Sequence, residues 1–131
     1  MKIFTSDRYF TLFDFRLSHS QLLLRSSKTD RHENNIDIII FDVQFLEMPI
    51  SFWGILIEDQ TDVYIDNTQF VKYKKYIETD SSRIFSIKTK DNIFHIVASY
   101  LKIYENQLEF HETSLGVLEP KGREIELKLI G

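Results

Sequence analysis

Cysteine is absent from this chain, and in 131 residues there are only four glycines, two prolines and one alanine. Without a thiol there are no disulfides, no thiolate nucleophile and no cysteine-ligated zinc or iron–sulfur site. The same absence fits a cytoplasmic protein. The glycines, Gly54, Gly116, Gly122 and Gly131, are too scattered to form a phosphate-cradling loop. No cofactor is expected. Near-absence of alanine removes the best helix former, whereas seventeen isoleucines, eleven phenylalanines and six tyrosines suit a pleated surface. An AT-rich genome would bias composition the same way, so residue order has to carry the fold.

Neither sign of charge dominates: sixteen Lys and Arg stand against twenty Asp and Glu, a net charge of −4. That mild acidity disfavours a phosphate-tracking surface, and nucleic acid is not the expected partner. Long hydrophobic runs are missing as well. Ile38-Ile39-Ile40-Phe41 and Ile55-Leu56-Ile57 are strand-sized, far short of the roughly twenty apolar residues of a membrane-spanning helix. Residues 1–8 include Lys2, Asp7 and Arg8 before any long apolar stretch, so no signal peptide is expected. A single domain of this length can bury a core without a metal or disulfide staple.

What the sequence does contain is alternation. In residues 9–17, Tyr9, Thr11, Phe13, Phe15 and Leu17 share one parity, while Phe10, Leu12, Asp14 and Arg16 share the other. Residues 18–20 then connect to a short strand at 21–25, and a polar loop runs to Asn35. Residues 36–47 form the strongest strand, with Ile39, Phe41, Val43 and Phe45 on one face and Ile38, Ile40, Asp42 and Gln44 on the other. Both strands change from apolar to polar along one face. As neighbours they would gather Asp14, Arg16, Asp42 and Gln44 into a polar patch, with each opposite-charge pair contributing about 0.2–1 kcal/mol. The alternative is an ordinary solvated sheet end.

Pro49 ends that strand, and residues 50–58 resume across a bulge expected at Gly54. A turn at 59–62 leads into a brief segment, 63–65. One helix is expected at 67–78, where Phe70, Tyr73 and Ile77 recur at spacings of three and four and Asp66, Asn67 or Thr68 could cap the start. A strand over 69–77 is the competing reading. Residues 84–90 and 93–104 flank the turn dipeptide Asp91-Asn92, and 108–113 would complete a meander. Alternation of Ile125, Leu127 and Leu129 brings 124–130 into the sheet. The expected fold is all-β, an antiparallel sandwich or partly closed β-barrel ending in a meander, with one short helix.

Catalytic constellations are scarce. His19, His32, His95 and His111 show no metal-ligand spacing, and no metal site is expected. Ser18-His19-Ser20 is no catalytic unit, because adjacency does not bring a hydroxyl to an imidazole in the required geometry. Carboxylates such as Glu109 and Glu112, or Asp14 and Asp42, could pair, but twenty acids make such pairs uninformative.

Two segments suggest binding. One is 48–54, where Phe52 and the only tryptophan, Trp53, lie in a bend. Such residues occur at interface cores and also plug sheet ends. The other is 64–76, where Tyr64 and Tyr73 are interleaved with Lys72, Lys74 and Lys75. The expectation is therefore a small, cytoplasmic, bacterial-type binding protein without catalysis. Its partner would be another protein, in an inhibitor, immunity-like or accessory role, and a homodimer through a strand edge is a further possibility. The candidate contact residues are Phe52, Trp53, Tyr64, Tyr73, Asp14, Arg16 and Asp42. The alternative is a small-molecule-binding β-barrel, either a simple binder or an enzyme, with a polar site near Asp14, Arg16 and Asp42. Nucleic-acid binding would require Lys72, Lys74 and Lys75 to share a face with Arg25, Lys28 and Arg31.

Overall fold

Period-two alternation builds one antiparallel sheet, described in a computed structural model over residues 1–65, 71–80, 82–115 and 128–129. Its nine strands among the described residues are β1 (Lys2–Arg16), β2 (Gln21–Ser26), β3 (Asn35–Phe41), β4 (Phe45–Glu47), β5 (Ser51–Asp59), β6 (Arg83–Lys88), β7 (Ile93–Ala98), β8 (Tyr100–Asn106) and β9 (Lys128–Leu129). Two short helices, α1 (Thr61–Ile65) and α2 (Val71–Asp80), lie between β5 and β6. The strand order is β4-β7-β6-β5-β1-β2-β3-β8-β9.

Three long, bent segments fold this sheet over on itself. β1 pairs with β5 from Lys2 to Thr11 and with β2 only from Thr11 to Arg16. β3 and β4 run alongside β8 and β7, and the two ladders are joined by backbone bonds from Ser99 to Phe41 and from Gln44 to Val97. The result is a partly closed sheet that parts where β1 leaves β2. The inner faces enclose a core of Phe10, Leu22, Leu24, Ile38, Ile40, Phe52, Ile57, Ile87, Ile96 and Ile103. Phe10 and Phe52 stack there with centroids 6.2 Å apart.

Bulges correct the facial assignment made from alternation. Ile38 and Ile40 enter the main core, whereas Ile39 and Phe41 pack on the outer face. At Asp42 the backbone turns left-handed, φ 56°, and the alternation is interrupted. Val43 faces the main core, and Phe45 joins an outer cluster. β1 shifts register between Leu12 and Asp14, leaving Asp14 opposite Leu23. β2 separates β1 from β3, so the two graded strands are not neighbours.

The bulge expected at Gly54 is present. Gly54 has φ +75°, and the register between β1 and β5 shifts opposite it, between Ser6 and Tyr9. The expected helix is also present as α2: Tyr73, Tyr76 and Ile77 pack on Ile84, Val97 and Phe45, while Lys72, Lys74 and Lys75 are exposed. Phe70 and the expected capping residues, 66–68, lie outside the described residues. Residues 63–65 belong to α1, which begins where Asp59 Oδ1 accepts hydrogen bonds from the Thr61 amide and hydroxyl.

Residues 93–104, read as one strand, are interrupted at Ser99. Residues 108–113 are not a strand but part of a strap crossing the outer face of β2 and β3. The Leu108 and Glu112 carbonyls accept bonds from Asn35 and Arg25, and these side-chain bonds replace a ladder. The sheet does extend beyond β8 through β9, paired at Tyr104 with Leu129 and Glu105 with Lys128. Residues 124–127 and 130 lie outside the described residues. Among the described residues, no helix is long and apolar enough to cross a membrane.

Candidate functional site

Because Phe10 and Leu12 turn inward, Tyr9, Thr11 and Phe13 line the outer face of β1. They contribute to a cleft of about 730 Å³, within the range of about 300–1,000 Å³ typical of ligand sites. Trp53 stands opposite Tyr9 on β5, with ring centroids 4.9 Å apart and planes tilted by 55°. Trp53 is 60% exposed and Tyr9 41%. Thr29, Arg31 and His32 line the cleft from the loop after β2, and Phe110, 80% exposed, lines it from the strap. A second depression, of about 360 Å³, is lined by Asp7, Trp53, Gly54 and Lys90. Trp53 and Asp7 are common to both.

Arg8 closes the point where β1 and β2 part. Its Nε donates to Ser26 Oγ at 2.9 Å, and Nη2 donates to the carbonyls of Ser26, Ser27 and Asn34 at 2.9–3.2 Å. These carbonyls lie where the β1–β2 ladder has ended, so the guanidinium supplies donors that a paired strand would otherwise provide. Partial burial lowers the Arg8 pKa from its ordinary value, while Glu105 and Asp7 act to raise it.

Beneath the strap lies a buried ion pair. Arg25 and Asp37 are cross-strand partners on β2 and β3 and are 1% and 0% exposed. Arg25 Nε and Nη2 donate to the two Asp37 oxygens at 2.6 and 2.8 Å. Asn106 Nδ2 and Ser114 Oγ also donate to Asp37 Oδ2, while Arg25 Nη1 donates to the Glu112 carbonyl at 2.6 Å. Phe13 lies 4.1 Å from the guanidinium carbon. This network fixes the strap that carries Phe110 and connects it to the cleft floor.

The sequence candidates are dispersed. Trp53 lies at the cleft, but its neighbour Phe52, of opposite parity, is 7% exposed and faces the core. Tyr73 is 3% exposed beneath α2 and forms an edge contact with Phe45. The Tyr64 side chain lies outside what the structure describes. Asp14 accepts from Thr113 Oγ1, whereas Asp42 accepts from Ser99 and Gln44. Arg16 is exposed opposite Gln21. These groups therefore do not converge on a shared partner. Arg25, needed for the nucleic-acid surface, is buried and paired.

His95 lines a small hollow of about 90 Å³ with Glu47, Lys72, Tyr73 and Phe94. Burial lowers its pKa, Lys72 lowers it further, and Glu47 opposes both. His111 is in the strap. Among the described residues, no group of three or more histidine or acidic side chains could hold a metal.

Arg8, Phe13, Arg31, His32 and Phe110 were not singled out from sequence as a common surface, because three separate segments bring them together. A signal for the ion pair was present: Asp37 interrupts an isoleucine run, and Arg25 follows three leucines. Charges in such runs are retained in a core only when paired. No protein-family profile, curated protein or solved structure matches the chain.

Proposed function

We propose that this chain is a small non-catalytic binding protein whose partner is another protein, and that the outer cleft is its contact surface. The observation carrying this reading is the Tyr9–Trp53 pair, exposed at a large cleft while adjacent Phe10 and Phe52 fill the core. Tyrosine, tryptophan and arginine dominate protein-interface hot spots, and the cleft provides all three. An inhibitor, immunity-like or accessory role in the cytoplasm accords with this surface and with the lack of cysteine. A second copy joined through a strand edge is supported by β4, which ends the strand order.

The cleft volume favours a second reading, a small-molecule site. Its support lies at the outer cleft rather than around Asp14, Arg16 and Asp42, since the two carboxylates bond to separate neighbours and Arg16 is exposed. Affinity capture from native lysate followed by mass spectrometry distinguishes the readings. Wild-type protein should retain a partner protein that Trp53→Ala binds roughly thirtyfold more weakly, as expected for a hot-spot tryptophan worth about 2 kcal/mol. Recovery of a bound metabolite without a protein, or full retention of the partner by Tyr9→Ala/Trp53→Ala, would sink the first reading.

A further inference from the structure

The charge of the cleft is opposite to that of the chain. The protein carries −4 overall, yet the charged side chains lining the cleft are one carboxylate, Asp7, and three guanidiniums, Arg8, Arg25 and Arg31, with His32 beside them. Asp37 neutralises Arg25. Arg8 is hydrogen-bonded to neutral oxygens with the Glu105 and Asp7 carboxylates near enough to act on its charge, whereas Arg31 makes no ion pair among the described residues. The cleft thus combines exposed aromatic surface with a cationic side at Arg31.

Resting on the reading of the cleft as a contact surface, we infer that its occupant is an acidic segment of the partner polypeptide. Apolar side chains of that segment lie against Tyr9, Trp53 and Phe110, and its carboxylates face Arg31 and His32. Carboxylates meeting guanidiniums beside a partly apolar wall gain charge-assisted hydrogen bonds, and the local positive field steers their approach. A single-stranded nucleic acid could also use aromatics and arginines, but it requires a continuous cationic track. Here Arg25 is consumed by Asp37, Lys28 lies 3.5 Å from Glu109, and the α2 lysines belong to the element covering β6 and β7. The available cations suit a short acidic segment.

Trp53 is the only tryptophan, so its fluorescence reports directly on the cleft. The probes are a capped, tryptophan-free peptide alternating aspartate and glutamate with leucine, its lysine-for-acid counterpart, and a short oligothymidylate. The acidic peptide should shift Trp53 emission saturably and more weakly as salt rises. Arg31→Glu should weaken it by about fivefold or more, while Lys72→Glu on α2 leaves it unchanged. Equal binding of the lysine peptide, tighter binding of the oligonucleotide, or no response to millimolar acidic peptide overturns the assignment. If the acidic peptide fails while lysate capture still depends on Trp53, the charge assignment falls and the contact surface stands. If capture is also indifferent to Trp53, both fall.

Discussion

Replacing Asp37 by leucine should destabilise the protein more than replacing Asp37 and Arg25 together. In the single variant, Arg25 stays buried beneath the strap without its carboxylate, and Asn106 Nδ2 and Ser114 Oγ lose their acceptor. Breaking one side of a buried ion pair costs about 3–5 kcal/mol, while removing both charges is far less costly. Against a total stability of about 5–15 kcal/mol, that loss is severe. In Arg25→Met/Asp37→Leu the stranded charge is gone, but Asn106, Ser114 and the Glu112 carbonyl still lack partners. The double variant should be about 1–2 kcal/mol more stable than Asp37→Leu, giving a strongly non-additive cycle. Urea denaturation at constant m measures this. A loss of about 4 kcal/mol moves the midpoint by about 1.3–4 M for m of about 1–3 kcal/mol/M. Burial makes the effect nearly independent of salt. Amide exchange in residues 107–115 should accelerate in Asp37→Leu, since Arg25 and Asp37 anchor Glu112 and Ser114. Additive single-variant costs, or a loss below about 1 kcal/mol for Asp37→Leu, would refute the role assigned to the pair.

Phe52 and Trp53 should respond oppositely despite adjacency: Phe52→Ala should cost about 3–5 kcal/mol as a core truncation, whereas Trp53→Ala should cost about 1 kcal/mol, the value of its ring contact with Tyr9. Equal midpoint shifts in denaturant would contradict the facial assignment. For Gly54→Ala, an added Cβ would lie 3.8 Å from the Lys90 nitrogen, so space is ample, but φ +75° is strained for an L-residue; thermal melting should report a loss of about 1–2 kcal/mol. His95 has its pKa depressed by burial and Lys72, so the unfolded chain binds its proton more readily. Its contribution is complete above about pH 6.5 and is lost as pH falls from there through the lower folded value; His95→Gln should flatten the stability profile in that window. Asp59 has its carboxyl raised by burial and lowered, on balance, by hydrogen bonds from Arg83 and Thr61. That contribution is present above about pH 4 and lost as pH falls through the folded value; Asp59→Asn should reduce acid sensitivity, and an unchanged acid limb would count against it.

Much of the sheet was legible because alternation is a local property. The hairpin at Asp91-Asn92, the bulge at Gly54 and the helical spacing of Tyr73 and Ile77 each register within a few residues. The facial assignment of residues 36–47 was only partly legible, since the left-handed residue Asp42 interrupts the alternation and Val43 turns to the main core, away from the side shared by Ile39, Phe41 and Phe45. The strand assigned to 108–113 failed for a different reason. Its carbonyls are satisfied by Asn35 and Arg25, more than seventy residues away in sequence, and no local pattern records such a bond.

The surface at Trp53 was half legible for the same reason. Sequence marked the tryptophan, but which of two adjacent aromatics faces outward depends on strand register. By itself, the sequence determined a cysteine-free, antiparallel β protein with a short amphipathic helix, because composition and periodicity act over one element at a time. Only the tertiary structure decided that Tyr9, Trp53, Arg31 and Phe110 line one cleft and that Arg25 and Asp37 are buried beneath a strap, because both arrangements join residues from separate segments across a folded sheet.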